Sequence, residues 1–102
     1  MRPVWVYILR CADGKYYTGS YRGEDIDTRV AEHNMGAYPK AYTHSRRPVE
    51  PMWAESFQWA SDAIDAERSI KGWSRAKKEA LIRGDYEALP GLSKRGPKRG
   101  KS

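Results

Sequence analysis

Residues 4–10, Val-Trp-Val-Tyr-Ile-Leu-Arg, form an almost unbroken run of β-branched and aromatic side chains, and Ala12-Asp13-Gly14 follows it as a turn signal. A run this apolar, without polar alternation, reads as a strand covered on both faces, so the chain must supply a layer above it and one below. Lys15 to Tyr21 reads as a second strand, completing a hairpin. Loop length then decides which residues share a face, because side chains alternate along a strand. A two-residue Asp13-Gly14 loop puts Tyr7 and Tyr17 on opposite faces. A three-residue loop, with Gly14 left-handed after a type I turn, pairs Cys11 with Lys15, Leu9 with Tyr17 and Tyr7 with Gly19. We adopt the second register, which makes Tyr7 and Tyr17 diagonal neighbours roughly 7–8 Å apart on one face. Gly19, opposite Tyr7, is then expected to leave a gap where a substrate approaches the backbone.

The remaining pattern predicts a helix from Asp25 to about Met35, capped by Asp25 or Asp27 and stopped by Gly36. Residues 36–48 form a loop rich in Gly, Pro, Ser and Arg, and Pro51 to Phe57 reads as a third strand. Ser61 caps a helix to Lys71, Gly72 breaks it, and Ser74 caps another to about Arg83. Trp53, Trp59 and Trp73 are assigned to packing, the usual use of large aromatics. The order is β-β-α-β-α-α: an α+β domain with a three-stranded antiparallel sheet flanked by helices. The expected division is a domain over residues 1–90 and a basic, disordered tail over 91–102.

With 102 residues there is room for one modest core. No apolar run approaches the roughly 20 residues needed to span a bilayer, so no membrane association is expected. The start reads directly into strand sequence, so no signal peptide is expected. Cys11 is the only cysteine, which excludes an internal disulfide and a cysteine zinc site; a cytoplasmic location is the expectation. The net charge of +6 suggests a polyanionic partner. Lys94, Arg95, Lys98, Arg99 and Lys101 sit together with no acid among them, however, leaving 14 basic against 13 acidic side chains before them. The folded body is nearly neutral, and a short basic tail is as often a solubilising end as a binding device.

Taken alone, each candidate functional residue has an ordinary explanation. Tyr7 and Tyr17 suit cross-strand packing. Arg29 and His33, spaced i, i+4, share one helix face, where an arginine is usually solvated and a histidine near the C-terminus suits the helix dipole. Glu67 sits on the stripe of Ala63, Ala66 and Ile70, where a lone carboxylate is costly. Pairing with Lys71 one turn on, or binding a cation, resolves that cost.

Together, the segments Trp5-Val6-Tyr7, Tyr17-Thr18-Gly19, Arg29 with His33, Arg46-Arg47-Pro48-Val49 and Ala63 to Lys71 resemble the GIY-YIG nuclease superfamily, particularly its small single-domain bacterial endonucleases. The resemblance covers residues 4–83. Trp5 stands in place of the first motif's glycine and Thr18 in place of the second motif's isoleucine. Residues 21–24 are about two longer than in relatives, so Arg29 is aligned through Glu32-His33-Asn34. Many relatives carry a functional asparagine late in the fold, whereas the sole asparagine here is Asn34.

The resemblance implies a metal-dependent endonuclease that hydrolyses phosphodiester bonds, with DNA preferred over RNA and single-stranded or branched forms as candidates. Tyr7 is then the general base or the group that orients water, held by Tyr17. Arg29 clamps the phosphate and, with the metal, favours the phenolate. His33 contacts the phosphate or shuttles a proton. Glu67 is the one carboxylate on Mg²⁺ or Mn²⁺, enough for an ion that keeps most of its waters. Lys40, Tyr42, His44, Arg46, Arg47 and Lys71 are candidate nucleic-acid contacts, with Lys77 and Lys78 extending the track. A solvated loop explains the first five nearly as well. The alternatives are a non-catalytic nucleic-acid-binding module on the same fold, or an interaction protein with a basic tail. No obligate protein partner is evident.

Overall fold

The computed structural model describes residues 2–85, and the basic tail expected over 91–102 lies outside them. The elements are β1 (Val4–Arg10), β2 (Tyr16–Arg22), α1 (Ile26–Asn34), a short 3₁₀ turn (His44–Arg46), β3 (Glu50–Phe57), α2 (Ala60–Lys71) and α3 (Arg75–Arg83). The antiparallel sheet has the order β2-β1-β3, with the apolar strand at its centre and buried on both faces, as its lack of alternation indicates. This is the α+β architecture in the order read from sequence. No helix among the described residues is long and apolar enough to cross a membrane.

The hairpin closes in the three-residue form. Leu9 pairs with Tyr17 and Tyr7 with Gly19, while the Cys11 amide donates to the Lys15 carbonyl at 2.8 Å. Gly14 lies at φ +86°, the left-handed region such a turn needs and side chains avoid. On the other side of β1 the pairing shifts between Ile8 and Leu9, opposite Trp53 and Pro51 respectively, leaving Met52 as the extra residue. Pro51 is tolerated there because β3 is an edge strand and the ladder is already interrupted.

Spatial contacts divide the described residues into two compact units, with the boundary between Lys71 and Gly72. In the first, Tyr7, Leu9 and Cys11 project from one face of β1 and pack with Val30 of α1 and Val49, joined by Tyr17, Tyr21, Ile26 and Ala54. Val4, Val6 and Ile8 point the other way and are buried, as are Ala63 and Ile70 of α2, which packs on all three strands. Asp25 caps α1, its carboxylate accepting from the Thr28 amide at 2.9 Å. The helix that Ser61 was expected to cap begins one residue before it, at Ala60. In the second unit Ser74 caps α3 by accepting from the Lys77 amide at 3.2 Å, and Gly84 closes it at φ +77°.

The tryptophan assignment requires one correction. Trp53 and Trp73 are half-buried, but Trp59 is 61% exposed. It falls in the turn between β3 and α2, where neither strand nor helix periodicity directs a side chain inward.

Asn34 has a structural use. At the end of α1 its amide nitrogen donates to the Val49 carbonyl at 3.0 Å, and its Oδ1 accepts from the Val49 amide at 2.7 Å. One side chain thereby supplies the ladder partner for the residue that leads into β3. Asn34→Ala strands both groups and should lower unfolding free energy by about 1–3 kcal/mol. Asn34→Asp, which keeps only the acceptor, should fall between. Urea denaturation of the three proteins measures this, and an unchanged midpoint for the alanine variant would refute it.

Candidate active site

Because the register places Gly19 opposite Tyr7, the phenol of Tyr7 lies across the glycine. A Cβ built on Gly19 would stand 2.7 Å from Tyr7 Oη and 2.9 Å from the Tyr17 ring. The space expected for substrate is therefore filled by the two phenols, whose ring centroids are 6.3 Å apart. Glycine serves here to admit the tip of Tyr7. Tyr7 itself is fully buried.

Helix α1 brings two further groups to that phenol. Arg29 donates from Nε to Tyr7 Oη at 3.4 Å, and His33 Nε2 lies 3.3 Å from the same oxygen. On its far side His33 Nδ1 is 2.8 Å from Thr43 Oγ1. With Arg29 donating into Oη, the phenol's own hydrogen is free for Nε2, so Nδ1 carries the imidazole proton toward Thr43. Arg29, Tyr7, His33 and Thr43 thus form one hydrogen-bonded line.

The charge states follow from burial. Tyr7 is pushed up from the usual 10.0 to about 12, chiefly by desolvation; the hydrogen bond and charge of Arg29 pull against it, while Tyr17 and Glu67 add to the rise. His33 is held below the usual 6.5 by burial and by the Arg29 charge, opposed by Glu32. At neutral pH both groups are uncharged. For Arg29, burial opposes the charge, but its bonds to Tyr7 and Tyr38 win and the pKa rises. Local spacing alone would have a positive field free the phenolate; burial dominates instead.

Arg29 is more tightly enclosed than an i, i+4 pattern indicates. Its Nη1 donates to Tyr38 Oη at 2.5 Å and lies 3.8 Å from Glu32. The Tyr38 and Tyr21 rings stand 4.4 Å and 5.1 Å from its Cζ. Its Nη2 makes no hydrogen bond among the described residues, leaving one donor edge for a ligand. Tyr21, Glu32, Tyr38 and Thr43 were not singled out in the sequence. The Arg29–Glu32 i, i+3 spacing was a signal for one of them; Tyr38 and Thr43 lie in a loop, where no periodicity marks them.

Glu67 is half-buried on α2, and its carboxylate meets Lys71 Nζ at 2.9 Å. It makes no hydrogen bond to the phenols; its field reaches Tyr7 as the smallest of the effects named above. No group of three or more His, Cys, Asp or Glu side chains suited to a metal occurs among the described residues. The donor chemistry here is one hard carboxylate with an exposed lysine partner, which fits an ion that keeps its waters, such as Mg²⁺ or Mn²⁺, better than a zinc ion needing nitrogen or sulfur.

The loop residues expected to touch nucleic acid divide into two groups. Lys40 is exposed. Tyr42 stacks on Tyr17 at 6.1 Å and 15°, and Arg46 lies over its ring at 3.9 Å, so part of the ring is already occupied within the fold. Arg46 is further held by Asp13 at 3.0 Å. Arg47 donates to the His44 carbonyl at 2.7 Å and the Asn34 carbonyl at 3.4 Å. His44 is half-buried, with a buried Nδ1 that has no hydrogen-bond partner. Lys71 is held by Glu67. In the second unit Lys77 lies 5.7 Å from the Trp73 ring, and burial lowers the Lys78 pKa.

Comparison with known proteins gives a concordant result. The family described as the GIY-YIG catalytic domain matches residues 3–80. A UPF0213 protein of Halobacterium salinarum is 50% identical over 77 residues, covering 76% of this chain and 96% of its own. One from Staphylococcus saprophyticus is 44% identical over 78 residues, covering 76% and 92%. Among solved structures, a UPF0213 protein from Bacillus halodurans superposes with a TM-score of 0.51 at 36% identity, covering 79% of this chain and 83% of that one. A protein from E. faecalis gives 0.57 at 31% identity, covering 84% and 88%.

The buried phenol has a consequence for stability. The folded state holds the Tyr7 proton more tightly than the unfolded state, so this contribution is complete below pH 10.0 and disappears as pH rises through about 12. Urea titrations across that window should show a decline that is shallower by about 2–3 kcal/mol in Tyr7→Phe. Equal slopes for the two proteins would refute the assignment.

Proposed function

The chain belongs to the GIY-YIG family of catalytic domains, whose fold is that of a nuclease superfamily, and on that premise we propose that it is a metal-dependent endonuclease hydrolysing phosphodiester bonds, with DNA preferred over RNA. The observation that carries the reading is the line from Arg29 through Tyr7 and His33 to Thr43. It joins a cation suited to phosphate, a phenol and a neutral imidazole through successive hydrogen bonds.

In this reading Arg29 holds a non-bridging phosphate oxygen through Nη2 while Nε stays on Tyr7. A phenol with its pKa near 12 is a poor base alone. Its hydrogen bond to His33 supplies the remedy: Tyr7 Oη takes a proton from the attacking water as its own proton passes to His33 Nε2, leaving an imidazolium. Thr43 keeps the imidazole in the tautomer that can accept. As the new P–O bond forms, the bond to the leaving oxygen breaks in line. Glu67, exchanging Lys71 for a cation, would hold Mg²⁺ or Mn²⁺, which supplies positive charge to the phosphate and leaving oxygen. Lys40, Arg47 and Lys71 are the basic side chains proposed to meet flanking phosphates, and a tail over 91–102 would add salt-sensitive affinity. Because Tyr7 is fully buried, water reaches it only after a neighbour withdraws. That burial favours, as a second reading, a non-catalytic nucleic-acid-binding module on the same fold.

Purified protein incubated with labelled single-stranded, duplex and branched DNA and RNA, with and without Mg²⁺ or Mn²⁺, separates the two. The nuclease reading expects metal-dependent cleavage, reduced at least about a hundredfold by Glu67→Ala and by Tyr7→Phe. Binding without cleavage under any metal selects the second reading. The pH profile adds an independent check. His33 must be neutral to accept, and its pKa is lowered, so the acid limb of cleavage should lie below pH 6.5. A limb above that value argues against His33 as acceptor.

A further inference from the structure

Tyr38 meets two residues of the candidate site at once, although it lies outside the helix that carries them. Its hydroxyl donates to Glu32 and accepts from Arg29 Nη1. The direction is fixed by chemistry, since a carboxylate can only accept and a guanidinium can only donate. Its ring stands 4.4 Å from Arg29 Cζ and 5.1 Å from the His33 ring. Arg29 has several rotatable bonds, and the Nε contact to Tyr7, at 3.4 Å, is too long to hold it alone. The Nη1 contact at 2.5 Å is the firm one.

We propose that Tyr38 is a positioning residue, which, braced by Glu32, fixes the Arg29 guanidinium so that Nε faces the Tyr7 phenol and Nη2 is left for a phosphate. The proposal rests on the nuclease reading for its consequence in catalysis, but not for its geometry. Two devices act together. The aromatic faces of Tyr38 and Tyr21 confine the guanidinium plane, and the Tyr38 hydroxyl sets its rotation within that plane. Glu32 orients the hydroxyl; without it the phenol would be free to turn its hydrogen toward Arg29 and lose the acceptor. Its carboxylate also offsets part of the Arg29 charge at 3.8 Å. The phosphate-binding edge is thereby prepared before any ligand arrives, which reduces the ordering cost of binding and of reaching the transition state.

Tyr38→Phe keeps the ring and removes only the hydroxyl, so the ring contacts with Arg29 and His33 remain. The first measurement is solvent exchange of the Arg29 Nε–H at neutral pH by nitrogen-15 NMR, with the resonance identified by its loss in Arg29→Lys. Exchange should quicken about fivefold or more in Tyr38→Phe, because the contact to Tyr7 no longer has an anchor. Glu32→Gln should move it in the same direction by less. The second is cleavage. Tyr38→Phe should lower kcat about tenfold with little change in KM, and should cost nothing further in an Arg29→Lys background. Unchanged Nε–H exchange overturns the proposal whether or not the protein cuts. Additive losses in the double variant also overturn it, since they would mean that Tyr38 acts independently of Arg29. Absence of cleavage by the native protein, with exchange still responding to Tyr38→Phe, overturns the nuclease reading and leaves the positioning role standing.

Discussion

The pairing of Tyr7 with Gly19 across β1 and β2 decides where every other group of the candidate site stands. A side chain at position 19 would collide with the Tyr7 hydroxyl and the Tyr17 ring, so the phenol could not lie flat across the neighbouring strand. Lying there, it is buried, and its Oη comes within reach of α1 one layer away. Arg29 and His33 then need only their i, i+4 spacing to meet the same oxygen from two directions. A hairpin loop one residue shorter would send Tyr7 and Tyr17 to opposite faces and separate all of these contacts. The left-handed Gly14 is consequently tied to the site through register alone.

Burial governs the chemistry that this geometry permits. A permanently charged guanidinium beside a phenol would favour the phenolate in a wetter setting, yet desolvation outweighs it and keeps Tyr7 protonated. The same guanidinium and the same burial keep His33 neutral. One cation thus stands beside two uncharged partners, and an imidazolium formed at His33 would meet the repulsion of the same guanidinium. The guanidinium's own burial is offset by Tyr38, Tyr7 and the Glu32 carboxylate, each contributing an acceptor or a negative charge.

The basic character of the loop after α1 is largely spent within the fold. Arg46 joins the loop to the hairpin turn through Asp13 and covers Tyr42, while Arg47 closes carbonyls at the end of α1 and in the 3₁₀ turn. Guanidinium groups suit this work because several directional donors can satisfy backbone oxygens that a loop otherwise leaves open. A count of charges treats such an arginine and an exposed lysine such as Lys40 alike, although only the second is fully available to a polyanion.

Local rules in the sequence determined the order of elements, the burial of β1 on both faces, the hairpin register and the shared face of Arg29 and His33. These follow from strand and helix periodicity and from the turn that glycine allows, all of which act over a few residues. Only the tertiary structure decided that Gly19 is covered by phenols, that Tyr7 is sealed from solvent, and that Tyr38 and Thr43 complete the line of contacts. Loop residues have no period, and desolvation depends on everything packed around a group, so neither can be read from neighbours in the chain.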